Sequence, residues 1–352
     1  MFSRRFAVAG YLEIPVTKAK NLRIRADWIL WIVLVLSCIL LGGLRYNVGT
    51  DYTEYVKVFE RIVKNPEYTN YMEEGYLSLN RLVATFTNDP VAIMFVTCSI
   101  IVFFAIYRIA RSSKFVPLSL FMFFTFYLTT FNTIRQGLAV AICFFSMDFF
   151  KNDKWLQGFL SIALAMTFHK TAIIMLVVFV SMRVHYNWRF YFLAAVAFAT
   201  LAFGGMRLVN PIIQVFYKDY ALQDLTVADM FRNISPVQVA LCGIYTVLAN
   251  MYKKQMLQRS KGNILYINIC IVYLLCNVFL TWLPEWNRLN DYFNILFALI
   301  IPEIISCEPN RKLRLLYYGV IWGSMGLFWF LPMLMGNVDG LIVSYYTSVL
   351  GK

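Results

Sequence analysis

Long apolar runs alternate with short polar breaks along almost the whole chain. The windows 28–44, 90–107, 115–131, 134–150, 155–168, 171–182, 190–208, 236–252, 264–283, 292–306 and 315–331 read as about eleven helices. Most are long enough for the 17–25 residues a helix needs to cross about 30 Å of hydrocarbon. The neighbours 155–168 and 171–182 are short. They read as one broken helix pair or as a hairpin that does not fully cross. The stretch 76–89 has helical periodicity through Leu77, Leu79, Leu82, Val83 and Phe86, which predicts an amphipathic or half-inserted helix; 52–64 is a second amphipathic run.

The expected fold is therefore an all-α polytopic membrane protein in three zones. Residues 1–27 form a basic cytoplasmic segment, and 28–331 form the transmembrane helical domain. Residues 332–352 form a C-terminal, non-cytoplasmic segment. Composition agrees, with 60% hydrophobic and only 14% charged residues, against about 25% charged in soluble domains. The first apolar run, from Trp28, is long enough to stay as an anchor, so no cleavable signal peptide is expected.

Charge gives the bundle a direction. With the N-terminus inside, the segments 1–27, 108–114, 151–154, 183–189, 253–263 and 307–314 carry 20 of the 32 Lys and Arg residues. Such a bias marks cytoplasmic loops, so the net charge of +13 is an orientation signal and no nucleic-acid partner is implied. The outer loops are then about 45–89, 209–235 and 284–291. The seven cysteines contain no C-x-x-C pair, and two histidines cannot build a multi-histidine metal site. No metal and no cofactor is implied.

The distinctive polar clusters share the outer side. They are Arg45-Tyr-Asn-Val-Gly-Thr-Asp51-Tyr52, Glu73-Glu74-Gly75-Tyr76, Arg135-Gln136-Gly137, Phe168-His169-Lys170 and Glu285-Trp286-Asn287-Arg288. Taken singly, each has an ordinary reading. Arginines at helix ends snorkel to headgroups, Tyr and Trp form interfacial belts, and Asn-Val-Gly-Thr-Asp makes a turn and a helix cap. Taken together, they suit group transfer on a lipid-linked substrate outside the cytoplasm. Guanidinium groups bind diphosphate oxygens bidentately. His169, or a carboxylate such as Asp51 or Glu74, could take a proton from an attacking hydroxyl. Nucleotide substrates fit poorly, because no Gly-rich phosphate loop is present.

These same residues resemble the EpsG family of exopolysaccharide proteins, and more broadly the Wzy-type O-antigen and capsule polymerases. The resemblance runs through Arg45-Tyr-Asn-Val-Gly-Thr-Asp51-Tyr52-x-x-Tyr55, Glu74-Gly-Tyr76, Arg135-Gln136-x-Leu138-Ala139 and Phe168-His169-Lys170-Thr-Ala. It is weaker at Arg288-x-x-x-Tyr292-Phe293, and the basic N-terminal 27 residues depart from it. It implies a C-type glycosyltransferase-like fold with a periplasm-facing cavity in a bacterial plasma membrane. It also implies metal-independent, inverting transfer between undecaprenyl-diphosphate-linked oligosaccharides. Mapped onto this chain, the expected diphosphate and sugar ligands are Arg45, Arg135, Gln136, Lys170, Arg288 and Tyr52. The expected base is His169, with Asp51 or Glu74 as competitors. Membrane lipids and a chain-length regulator are the implied partners. Rival readings are a lipid-linked oligosaccharide flippase, a membrane acyltransferase and a non-catalytic assembly subunit. A flippase would carry charges through mid-bilayer, where only Asp148 near the inner edge stands out. An acyltransferase would expose its polar site to the cytoplasm.

Overall fold

The computed structural model describes residues 18–180, a few positions between 189 and 200, and 234–334 except 282, 284 and 285. Every regular element among them is helical. In chain order they are α1 (Lys18–Gly43), α2 (Tyr52–Lys64), α3 (Glu74–Ala84), α4 (Val91–Ser112), α5 (Val116–Thr129) and α6 (Ile134–Lys151). Then come α7 (Trp155–Phe168), a 3₁₀ turn (Lys170–Ile173), α8 (Ile174–Val180), α9 (Pro236–Met251) and α10 (Lys253–Arg259). After a second 3₁₀ turn (Lys261–Asn263), α11 (Ile264–Phe279), α12 (Trp286–Ser306) and α13 (Arg311–Leu334) complete the set. Helices occupy ten of the eleven apolar windows. The window 190–208 and the predicted loop 209–235 lie largely outside the described residues, as do 1–17 and 335–352.

By length and composition, Val91–Ser112, Lys261–Phe279 and Arg288–Ser306 are able to cross a membrane. Ile29–Gly43, Val116–Thr129, Trp155–Phe168 and Pro236–Met251 are apolar but shorter. Large apolar side chains such as Ile29, Leu36, Leu40 and Phe103 are left exposed, as lipid-facing surfaces require. Two helices begin earlier than hydropathy predicts. Helix α1 starts ten residues before the apolar window, and α12 takes in the polar Trp286–Asp291. Hydropathy locates hydrocarbon, whereas a helix continues until Gly, Pro or a cap stops it.

The chain divides into two compact units. The first contains residues 1–147, 160–172 and 294–352. Here α1 lies close against α4 because Gly42 and Gly43 leave room for Tyr127, Cys98 and Phe95. The Tyr127 hydroxyl donates to the Cys38 carbonyl at 2.7 Å, which ties α5 to the same end of α1. Pro302 interrupts α12 and cannot bond back to Ala298. The freed Ala298 carbonyl accepts instead from the Ser119 hydroxyl on α5, so no backbone acceptor is stranded in the apolar interior.

The amphipathic pair behaves as its pattern predicts, with one change. Helix α2 buries Tyr52, Tyr55, Val58, Phe59 and Ile62. Helix α3 buries Tyr76, Leu77, Asn80 and Val83. The expected apolar stripe over 76–89 is split, however, because α3 ends at Ala84 and Phe86 falls beyond it at 83% exposure. Leu82 on the outward face is exposed as well.

The second unit contains residues 148–159 and 173–293. Its α9 packs on α11 through a Thr246 hydroxyl donating to the Cys270 carbonyl at 3.0 Å and a Gln238 amide donating to the Tyr273 hydroxyl at 2.9 Å. The Lys151 ammonium donates to Asn263 at 2.8 Å and sits 4.0 Å from the Tyr266 ring centroid. This joins the basic loops 151–154 and 253–263, which charge counting placed on one side. Phe150 touches both Phe159 and Phe179. A continuous helix would hold those two phenylalanines about 30 Å apart. Helices α7 and α8 therefore fold back as a hairpin, with His169 and the 3₁₀ turn at its tip.

Candidate functional site

One end of the first unit gathers the C-termini of α1, α5 and α7 with the N-termini of α4 and α6. The loop after α1 turns through left-handed backbone at Asn47 (φ 52°) and Gly49 (φ 103°). A Cβ on Gly49 would also strike the Phe131 carbonyl, so this position takes only glycine. The Thr50 N–H then donates to Asn132 at 3.1 Å, docking the Gly-Thr-Asp turn on the loop between α5 and α6.

Glu73 is the centre of this end. One carboxylate oxygen pairs with the Arg135 guanidinium, and the other accepts from the Lys170 main-chain N–H at 3.3 Å. The side chains of Arg135 and Glu73 keep 15% and 11% exposure, so the pair lies at the rim of the packed interior. The Arg135 guanidinium also lies near the Tyr55 phenol and acts on it electrostatically. Burial raises the Tyr55 phenol above its usual range, with Arg135 pulling the other way. Tyr55 stays neutral and meets Tyr76 edge to face at 5.6 Å. Tyr71 lies over the guanidinium at 5.7 Å.

Gly75 makes this convergence possible. A Cβ there would collide with the side chain and backbone of Thr167, two residues before His169. The missing side chain lets the start of α3 rest on the end of α7. That contact brings Glu73 to Lys170. His169 itself is buried, and its Nδ1 shares a hydrogen bond with the Thr171 hydroxyl. The Lys170 side chain is exposed.

Other predicted residues fall elsewhere. Arg45 is fully buried. Its guanidinium donates to the Gly42 carbonyl at 2.8 Å and to Cys98 Sγ at 3.3 Å, and it lies 4.7 Å over the Phe131 ring. It braces three helix ends from within. Tyr52 is buried beside it, edge to face with Tyr46 at 6.0 Å. Asp51 is half-buried at the start of α2 and makes no capping bond, while its charge acts on Tyr55 and Tyr71. Gln136 is buried in the first turn of α6. Arg288 belongs to the second unit, where it interacts with Asp291 one turn along α12.

Glu74 faces outward. Its side chain is 66% exposed and pairs with Arg81, which also holds its carboxyl below the ordinary range, with Ser78 as a further donor. Glu73, and not Glu74, is the carboxylate that meets Arg135 and the Lys170 N–H. The spacing of Glu74, Ser78 and Arg81 on one helical face could have revealed the difference. Replacing Glu74 with glutamine is expected to leave polymer yield within about twofold, since an exposed pair contributes little. A gel ladder shifted as strongly as that of a Glu73 variant would contradict this assignment.

The EpsG family model matches residues 28–346, nearly the whole chain. The chain belongs to the EpsG family. No curated protein and no solved structure matches it. Membership makes this a membrane protein with a polysaccharide-polymerase-like function. Among the described residues of this EpsG-family chain, no group of three or more His, Cys, Asp or Glu side chains is arranged to hold a metal ion. The charge that its clustered residues offer is cationic, from a rim arginine and a neighbouring lysine, with a buried histidine next to that lysine in sequence.

Proposed function

We propose that this EpsG-family chain joins undecaprenyl-diphosphate-linked oligosaccharide repeat units on the outer face of a bacterial plasma membrane. A sugar hydroxyl of one unit attacks the anomeric carbon of the other, opposite its diphosphate. The new C–O bond forms as the bond to undecaprenyl diphosphate breaks, with inversion. The hydroxyl proton passes to His169, with Asp51 as the competing acceptor. Arg135 holds the departing diphosphate and Lys170 adds positive charge, which together replace the work of a metal ion. Arg45 acts from behind by fixing the helix ends.

The observation that carries this reading is the Glu73 carboxylate, which ties Arg135 to the residue following His169. Two motifs 34 residues apart in sequence are thereby joined at one end of the bundle. The outer location rests on the excess of Lys and Arg in the opposite loops. Gene deletion with complementation tests the function, with polysaccharide length read on a gel. Loss of polymer with retention of single-repeat product is expected. Loss of both products would indicate transport instead. An unchanged ladder from a stably expressed Arg135→Ala, His169→Ala double variant would overturn the site.

A further inference from the structure

Arg135 is paired with a carboxylate of its own chain. An arginine is always charged, and one with so little exposure needs an anion to offset the water it has lost. Glu73 supplies that anion from within the chain, through one oxygen only. Its second oxygen reaches the Lys170 main-chain N–H at 3.3 Å, a long bond. Arg135 is not saturated by this arrangement. Its Nε, although buried, has no hydrogen-bond partner. A planar guanidinium carries five donors in a fixed fork, so one edge remains to be filled.

We infer that Glu73 is a resident counter-anion, which holds Arg135 until the diphosphate of the lipid-linked substrate displaces it. This rests on the reading of Arg135 as a diphosphate ligand and adds a competitor built into the same site. A diphosphate brings more charge than a carboxylate and can engage the guanidinium through two oxygens, so it prevails once present. Both side chains retain some exposure at the rim, so exchange needs no opening of the core. A singly charged or neutral headgroup would fail to displace Glu73. The pair thus acts as a threshold that selects diphosphate over weaker anions. The cost of displacement appears as a reduced apparent affinity, by the fraction of molecules in which Arg135 is free.

The test is equilibrium binding of undecaprenyl diphosphate, and separately of inorganic pyrophosphate, to the full chain in nanodiscs. Glu73→Gln removes the resident charge and is expected to tighten binding of undecaprenyl diphosphate by roughly three- to tenfold. Where that variant does not fold, Glu73→Asp draws the carboxylate back by one methylene and is expected to tighten binding in the same direction. Arg135→Ala should weaken binding by about tenfold or more, and adding Glu73→Gln to it should then change nothing. Tightening with pyrophosphate too supports competition for the diphosphate itself. Tightening with the lipid alone supports it at a site entered from the bilayer. Equal or weaker binding by a folded Glu73 variant overturns the inference and makes Glu73 a simple brace. If Arg135→Ala leaves the affinity of the unmodified chain unchanged, the diphosphate reading fails as well, so the two failures are distinguishable.

Discussion

Arg135→Ala is expected to abolish polymer, and a second substitution at Glu73 separates the chemical from the structural cause. Removing the guanidinium strands the Glu73 carboxylate at a mostly buried position and takes away the cation near the Tyr55 phenol. Breaking a fully buried pair destabilises by about 3–5 kcal/mol. The exposure remaining at this rim reduces that to about half, so less folded protein should reach the membrane. Loss of one positioned cationic donor should independently slow transfer by about 10²–10³-fold. The Arg135→Ala, Glu73→Gln double variant removes both charges together. It is expected to regain membrane abundance, measured by immunoblot, while the gel still lacks polymer. Recovery of polymer in that double variant would make Arg135 a structural residue and leave the site without its main cation.

Much of the architecture was readable because a membrane makes hydropathy a measure of length. Ten of the eleven apolar windows fall on helices, and two sets of loops that charge counting grouped together each show a contact. Lys151 reaches Asn263 between two basic loops, whereas Glu73 reaches Arg135 and Lys170 between loops of the opposite set. The amphipathic run 52–64 matches α2 residue for residue. Side-chain direction was less readable. Arg45 and Arg135 look equivalent in sequence, each beginning or ending an apolar run. One points into sulfur atoms and an aromatic ring, and the other stands at a rim with a carboxylate. Glu73 and Glu74 differ by one position, but Glu73 is the extended N-cap residue of α3 and Glu74 its first helical residue. That change of backbone turns one towards Arg135 and the other towards Arg81. The hairpin at His169 was legible only as a pair of short runs. What identifies the fold-back is the contact of Phe150 with both Phe159 and Phe179, which no local pattern encodes.

Gly75→Ala is expected to have an effect close to that of losing Arg135, although it adds a single methyl group and changes no charge. The new Cβ would meet the Thr167 hydroxyl, carbonyl oxygen and carbonyl carbon together. Side-chain rotation relieves only the first of these, so the start of α3 must move away from α7. Overpacking of this kind costs about 1–3 kcal/mol. The larger consequence is geometric, because Glu73 precedes Gly75 by two residues and must reach Lys170 and Arg135 at hydrogen-bonding distance. Loss of polymer with a lowered melting temperature of the purified chain is therefore expected. Thr167→Ala should not rescue it, since the backbone clash remains. Gly243 in α9 serves as the control, because a Cβ there meets nothing. Gly243→Ala should leave polymer length unchanged and stabilise by up to about 1 kcal/mol through helix propensity. If Gly75→Ala behaves like Gly243→Ala in both readouts, the close approach of α3 to α7 is not what assembles the site. The convergence of Glu73, Arg135 and Lys170 would then need another cause.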